Sequence, residues 1–325
     1  MARLTVIIPT FNRPEYLARC LETVAAQTFR DFDLVVLDNA STEDNGPVLR
    51  RFRDLDIEYI RNLENLGATG NIEKAREIGA RSPYHIVFHD DDLMHPRMLE
   101  SQITILDAHP EIAWLATECQ PFGPGEKPSF VDQYEHDVPT EIYGDATVLV
   151  RRLLENTPLH FGSVMFRTTL TETTNMRVDE FTIIADRVLL CDMALHAPAA
   201  LITRPLVLYR HHEAQDSHNP VLRELHALAL MAYYRRLLPE PLSASDHKLI
   251  KHHATNYLLH ARSIVAPQDR IRMSELIRAA KTDDLFGWLS LDGQGVTALA
   301  RLAGMGSAYE AVRPGLGSIK RLLRR

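Results

Sequence analysis

Cysteine is scarce in this chain: three in 325 residues, Cys20, Cys119 and Cys191, set far apart. Such an odd, scattered set excludes a disulfide framework and has no metal-ligand spacing; free buried thiols in a reducing compartment are expected. Long apolar runs are also missing. Leu4 to Ile8 is too short for a signal-peptide core, and no segment approaches the roughly 20 apolar residues of a membrane helix. These absences predict a cytoplasmic protein. There is no surplus of positive charge: 36 Lys and Arg stand against 43 Asp and Glu, a net −7. That balance argues against wholesale nucleic-acid binding. No internal repeat and no low-complexity tract is present. What remains is an ordinary globular composition, 45% hydrophobic and 24% charged, in a chain long enough for one large domain or a domain with an appendage.

The first hundred residues alternate between strand and helix patterns. Leu4 to Ile8 reads as a buried strand stopped by Pro9. Pro14 suits the first turn of a helix that places Leu17, Cys20, Leu21 and Val24 on one face. Leu34–Leu37 and Ile57–Ile60 read as further strands. A helix around Ile72, Ala75 and Ile78 precedes a fourth strand, His85–Phe88, and another helix starts near Pro96 with Leu99, Ile103 and Leu106 aligned. This order predicts an α/β fold: a mostly parallel, Rossmann-like sheet flanked by helices, with ligands beyond the carboxyl ends of the strands. The polar segments there are Thr10–Arg13, Asp38–Ser41, Asn62–Thr69 and Asp90–Asp92. From Gln120 to Thr140 the chain is rich in Pro, Gly and charge, and reads as a long surface loop of the kind that often forms a lid. Val164–Phe166 and Leu201–Ile202 read as later strands. From Val221 the pattern turns helical, giving a division into a catalytic domain over 1–220 and a helical C-terminal region over 221–325.

Asp90-Asp91-Asp92 directly follow a strand. Adjacent carboxylates repel, so three at a strand end call for a cation, and hard oxygen ligands suit Mg²⁺ or Mn²⁺ with substrate phosphates completing the shell. The competing reading is a solvated acidic turn that caps the next helix. Asp38 ends the second strand and can accept from a base imide N–H or from ribose hydroxyls, or can simply make an Asx turn. His211-His212, after Arg210, can complete a metal site with carboxylates, and Arg210 could hold a phosphate; surface histidines in a loop are the plainer alternative.

Taken together these segments resemble family 2 of the glycosyltransferases, with the GT-A fold, over roughly residues 1–220. Val6 to Arg13 is similar to the opening strand and nucleotide loop, with Pro9, Thr10, Asn12 and Arg13 in it. Leu37-Asp38-Asn39-Ala40-Ser41-Thr42 resembles the segment whose Asp contacts uracil, and Asn65-Leu66-Gly67 with Asn71 resembles the Asn-x-Gly loop. Phe88 to Asp92 looks like the strand that bears the DXD-type motif. Gly162–Arg167 resembles a later strand near the acceptor, Ala185-Asp186-Arg187 the Glu-Asp motif that carries the catalytic base, and Leu206–His212 the closing Tyr-Arg-x-His segment. Asn39 replaces a frequent second Asp, and Ala185 replaces the usual Glu.

The resemblance implies an inverting, metal-dependent transfer from a nucleotide-diphosphate sugar, a UDP-sugar, to a saccharide or lipid-linked hydroxyl in surface polysaccharide synthesis. Asp186 is then the base, with Asp179, Glu180 and Asp192 as neighbours able to compete for the role. Asp38 and Asp90 hold the nucleoside. The metal, Mn²⁺ or Mg²⁺, is held by His212 with Asp91 or Asp92: counting back from Pro96 selects Asp91, and reading Asp90-x-Asp92 selects Asp92. Two other classes compete. One is a non-catalytic nucleotide-binding regulator. The other is a sugar nucleotidyltransferase, disfavoured because Pro9–Pro14 has no Gly to cradle a triphosphate. At the C-terminus Leu316, Ile319, Leu322 and Leu323 interleave with Lys320, Arg321, Arg324 and Arg325, as in a short amphipathic helix resting on an anionic membrane.

Overall fold

The computed structural model describes residues 2–126, 128–130, 138–155, 159–212 and 220–264. The chain divides into two compact units, Met1–His218 and Asn219–Arg325. In the first unit the order is β1 (Leu4–Thr10), α1 (Pro14–Ala25), β2 (Phe32–Asp38), α2 (Gly46–Leu49), β3 (Ile57–Arg61), α3 (Gly67–Gly79), β4 (Tyr84–Val87), β5 (Leu93–Met94) and α4 (Met98–Ala108). Then come β6 (Trp114–Phe122), β7 (Thr140–Tyr143), α5 (Ala146–Glu155), β8 (Met165–Arg167), α6 (Thr168–Thr171), α7 (Val178–Phe181), α8 (Ala185–Ala194) and β9 (Ala199–Arg210). In the second unit α9 (Pro220–Leu237) packs against α10 (Ala244–Ile264). The amphipathic C-terminal segment expected at 316–325 lies outside the described residues. Among the described residues, no helix is long and apolar enough to cross a membrane.

All nine strands of the described residues join one sheet, ordered β3-β2-β1-β4-β8-β6-β9-β5, with β7 on β9. β1 lies between β2 and β4, and β1 to β4 are parallel, as their β-α-β order demands. β6 and β9 are also parallel, whereas β8 is antiparallel to both β4 and β6, and β5 and β7 are antiparallel to β9. Leu4, Val6 and Ile8 point into a core with Leu17, Leu21 and Val24 of α1 and with Leu99, Ile103 and Leu106 of α4. Each fully buried Leu or Ile there contributes roughly 2 kcal/mol of hydrophobic stabilisation.

Two expectations are corrected. Pro9 does not stop the first strand; β1 runs through it to Thr10. β4 pairs with β1 only as far as Ile7, so on that side no ladder N–H is required of Pro9. The segment 120–140 is shorter as a loop than its composition suggests. Gln120–Phe122 pairs with β9, and Thr140 opens β7. Paired with a neighbouring strand, even a Pro-bearing segment extends. Lys127 and residues 131–137 lie outside the described residues, and the lid expected there with them.

Candidate active site

The ends of β1, β2 and β4 form one polar surface, fastened side chain to side chain. Asn12 has a left-handed φ of 52°. Its Oδ1 accepts from the Thr42 N–H at 2.7 Å, the Thr42 hydroxyl at 3.1 Å and the Glu43 N–H at 3.2 Å, and its own N–H donates to Ser41 Oγ. The loop after β1 is thereby stapled to the loop after β2. Asp38 is buried. Its Oδ1 accepts from the Ser41 N–H at 2.8 Å, and its Oδ2 from Asn45 Nδ2 at 3.1 Å and from the Tyr59 hydroxyl. Burial alone would raise the Asp38 carboxyl; the bonds from Tyr59, Ser41 and Asn45 outweigh it and hold the group below its ordinary value.

Asn65, Gly67 and Asn71 belong to an amide network. Asn39 Nδ2 donates to Asn65 Oδ1 and to the Gly67 carbonyl, while Asn62 Nδ2 donates to Asn39 Oδ1 and Asn71 Oδ1. Gly67 opens α3 with φ of 72°, which a side chain would strain. Asn39 is the hub of this network, a role that its place in the motif does not reveal.

The three carboxylates after β4 go three ways. Asp90 Oδ2 accepts from Thr10 Oγ1 at 2.6 Å, and Arg13 Nη1 lies 3.5 Å from its Oδ1. Burial and the charge of Asp91 push the Asp90 carboxyl well up. Asp91 Oδ2 accepts from Arg13 Nη1 at 3.0 Å and from His212 Nε2 at 2.8 Å. Burial opposes the Asp91 charge, but His89, His212 and Arg13 prevail and hold it low. Asp92 is fully buried; its Oδ1 accepts from the Arg210 N–H at 2.9 Å and its Oδ2 from His160 Nε2 at 2.6 Å. Arg210, which the sequence offers as a phosphate partner, lies between the rings of Tyr16 at 4.8 Å and Phe122 at 4.5 Å, and its Nε donates to the Asp91 carbonyl. Gln27, just after α1, supports the turn, donating to the His95 carbonyl and accepting from the Leu99 N–H.

Asp186 lies in the first turn of α8, with Oδ1 accepting from the Arg187 N–H at 2.8 Å. Thr182, four residues earlier, has a left-handed φ of 45°, strain placed just before the functional helix. Burial raises the Asp186 carboxyl; Arg187, His89 and His160 pull the other way without prevailing. Its rivals are placed differently. Asp179 is exposed, and Glu180 and Asp192 both pair with Arg177, at 2.6 and 3.7 Å. Sequence reasoning missed His89 and His160. Their rings meet edge to face at 4.9 Å, and their ligand atoms lie with an Asp92 oxygen within 4.8 Å of one another. Gly162 makes room: a Cβ there would stand 3.0 Å from His160 Nε2 and 3.3 Å from the His89 ring. The only hint was His89 adjoining the acidic triplet.

Two donor sets could hold a metal. Asp91 with His212 supplies a carboxylate and an imidazole beside Arg13 and Asp90, where burial first and the charge of Asp91 second drive the Asp90 carboxyl up, and a bound cation would offset that charge. His89, Asp92 and His160 form a nitrogen-rich set better suited to borderline ions than to Mg²⁺, and both Asp92 oxygens are already engaged.

A mixed sheet with its polar loops at the strand ends and helices on its faces is the GT-A type of nucleotide-sugar fold. Residues 5–158 match the profile of glycosyl transferase family 2. Over 96% of the chain and 92% of the other, the fold is similar to that of Staphylococcus aureus TarS in complex with UDP-GlcNAc, with a TM-score of 0.63 and 16% identity. It is also similar to a Pyrobaculum calidifontis mannosyltransferase in complex with GDP-Man and Mn²⁺, with a TM-score of 0.52 and 15% identity over 92% of this chain and 86% of that one. Among curated relatives, glycosyltransferase GlyA of Streptococcus pneumoniae is 33% identical over 94 residues, 28% of this chain and 13% of that protein. The poly(ribitol-phosphate) β-N-acetylglucosaminyltransferase TarP of S. aureus is 32% identical over 108 residues, 31% of this chain and 32% of that protein. A Campylobacter jejuni β-1,3-glucosyltransferase acting on GalNAc(5)-diNAcBac-PP-undecaprenol is 32% identical over 94 residues, 28% of this chain and 30% of that protein. The chain thus matches about a third or less of the length of these relatives.

Proposed function

We propose that this chain is an inverting glycosyltransferase that moves a sugar from a nucleoside-diphosphate donor, a UDP-sugar, to a hydroxyl of a surface polymer or its lipid-linked precursor. The observation that carries this is the grouping of Asp90, Asp91 and Asp92 with Thr10, Arg13 and His212 at the strand ends, together with Asp186 in electrostatic reach of His89 and His160. The acceptor class is supported by the names of the relatives TarP and the undecaprenol-linked glucosyltransferase. Asp38 holds the base and Asp90 the ribose, while Asn12 fixes the loop around them. The amide network of Asn39, Asn65 and Asn71 shapes the opposite wall.

Asp91 and His212 would hold Mn²⁺ or Mg²⁺, and the chemistry such an ion would supply is neutralisation of the negative charge on the diphosphate leaving group. Asp92, fully buried, is a brace that fixes Arg210 and His160 rather than a metal ligand. Asp186 accepts the proton of the acceptor hydroxyl, and its raised pKa makes it a stronger base than an ordinary carboxylate. That oxygen attacks the anomeric carbon on the face opposite the departing diphosphate. With one carboxylate base and no enzyme nucleophile, the displacement is single and the configuration inverts.

The test is calorimetric titration of UDP in Mn²⁺ and in EDTA. Wild type should bind at least about 10-fold more tightly with the metal, because a diphosphate otherwise meets uncompensated carboxylates. Asp91→Ala should abolish the difference. Equal affinity of wild type under both conditions rejects the metal role.

A further inference from the structure

Asp38 is the buried carboxylate against which the donor base is placed, and its acceptor capacity can be counted. A carboxylate has two oxygens with about two acceptor positions each. Oδ2 receives two donors from the protein, Asn45 Nδ2 and the Tyr59 hydroxyl, and Arg61 Nε stands 4.0 Å from the same atom. Oδ1 receives the Ser41 N–H, and the rotatable Ser41 hydroxyl also hydrogen-bonds the carboxylate. A base can therefore place at most one donor on Asp38, at Oδ1, by turning that hydroxyl aside. The bonds into Asp38 hold it ionised, so it offers no proton of its own, and the Tyr59 phenol, pushed up to about 12 by burial and by Asp38, remains a donor.

Bases differ in what they bring to such a carboxylate. Guanine presents two parallel N–H donors, from its ring imide and its amino group, and needs both oxygens. Uracil and thymine present a single imide N–H. Cytosine has a lone pair where that N–H would be and is repelled. We propose that the Tyr59 hydroxyl, by filling the second oxygen of Asp38, is the specificity-determining group that restricts the donor site to uracil-type bases and rejects guanine. Tyr59 suits the role: it lies on β3, the edge strand, two residues before Arg61, which pairs in register with Asp38. Its ring is 40% exposed, so removing the hydroxyl perturbs little packing. This assignment rests on the proposed placement of the donor base at Asp38.

The experiment is calorimetric titration of UDP, dTDP, GDP and CDP in Mn²⁺ with wild type and Tyr59→Phe. Wild type should bind UDP and dTDP at least about 10-fold more tightly than GDP or CDP, the penalty for leaving one donor of guanine unpaired or for opposing cytosine's lone pair. Tyr59→Phe frees an acceptor position on Oδ2. GDP affinity should then rise about 5-fold or more while CDP stays weak, since no added acceptor helps cytosine. If wild type takes GDP as readily as UDP, or if Tyr59→Phe leaves the UDP-to-GDP ratio unchanged, the assignment is wrong. Failure of all four to bind would instead overturn the donor-site reading, and this assignment with it. Circular dichroism of both proteins checks that the variant is folded.

Discussion

The donor side of the site and the acceptor side are built on different plans. On the proposed donor side, Thr10 and Asp38 end parallel strands, and Asn12, Arg13 and Asp90 lie in the loops just after β1 and β4, so each is presented by the strand that leads into it. On the proposed acceptor side, and at the Asp91–His212 pair that would face the donor diphosphate, the partners come from late in the chain: Asp92 meets His160, 68 residues on, and Arg210, 118 residues on, and Asp91 meets His212, 121 residues on. A site made of local strand ends can be varied loop by loop. A site clamped across such distances changes only as a unit, and its residues divide between chemistry and bracing.

The sharpest test of that division is Asp186→Asn, which keeps the size of the side chain and removes its basicity. Transfer should fall about 10²–10⁴-fold, roughly 3–5 kcal/mol of barrier, while UDP affinity in Mn²⁺ stays near wild type. Steady-state rates and calorimetry on the same preparation read both. The comparison collapses if Asp186→Asn transfers normally and Asp179→Asn or Glu180→Gln does not. Next in size is the contrast between adjacent carboxylates. Asp92→Ala strips a fully buried charge from His160 and from the Arg210 N–H and should destabilise the fold by about 3 kcal/mol. Asp91→Ala should lower the melting temperature less, yet lose the metal-dependent gain in UDP binding. Thermal unfolding of the two variants that ranks them the other way makes Asp92 the ligand. The smallest effect belongs to the donor wall. Asn71→Ala leaves the buried Asn62 amide without one acceptor, costing about 1–2 kcal/mol of stability. A weakened UDP affinity, with no loss of stability, would move Asn71 from bracing to direct contact.

This contrast also explains what could be read in the chain. β1, β2 and β4 were legible because strands buried on both faces are short apolar runs, and the residues after them were legible because a parallel sheet presents its loops at one edge. Asp186 could be named only through resemblance to a family, whereas His212 had a weak signal of its own in the pair His211-His212 beside Arg210. β9 was seen as two residues, Leu201-Ile202, and is twelve long: Arg204 and Pro205 interrupt the apolar pattern, pairing with β6 carries the strand across them, and Leu206 and Val207 return to the core. β5, with two residues, exists only because β9 lies beside it. His160 had no local signal at all. Its partner is an aspartate in the turn between β4 and β5, and its room is a missing side chain at Gly162.

The smallest of these late elements governs when the molecule can come together. β8 is three residues long, yet it is the sole strand between β4 and β6 in the sheet order. The family-matched segment ends at residue 158, before β8 begins. A chain emerging from the ribosome to that point holds every donor-side loop but has one sheet fragment, β3-β2-β1-β4, with a raw edge at β4, and a β6 that lacks both of its partners, β8 and β9. Unsatisfied edges of this kind invite pairing with neighbouring chains. Closure waits for Met165–Arg167 to slide between them, and the acidic triplet waits a further 45 residues or so for its partners. The boundary by which the family is recognised is therefore not a boundary at which this protein can fold, and excision of residues 5–158 would yield an aggregation-prone fragment rather than a minimal enzyme.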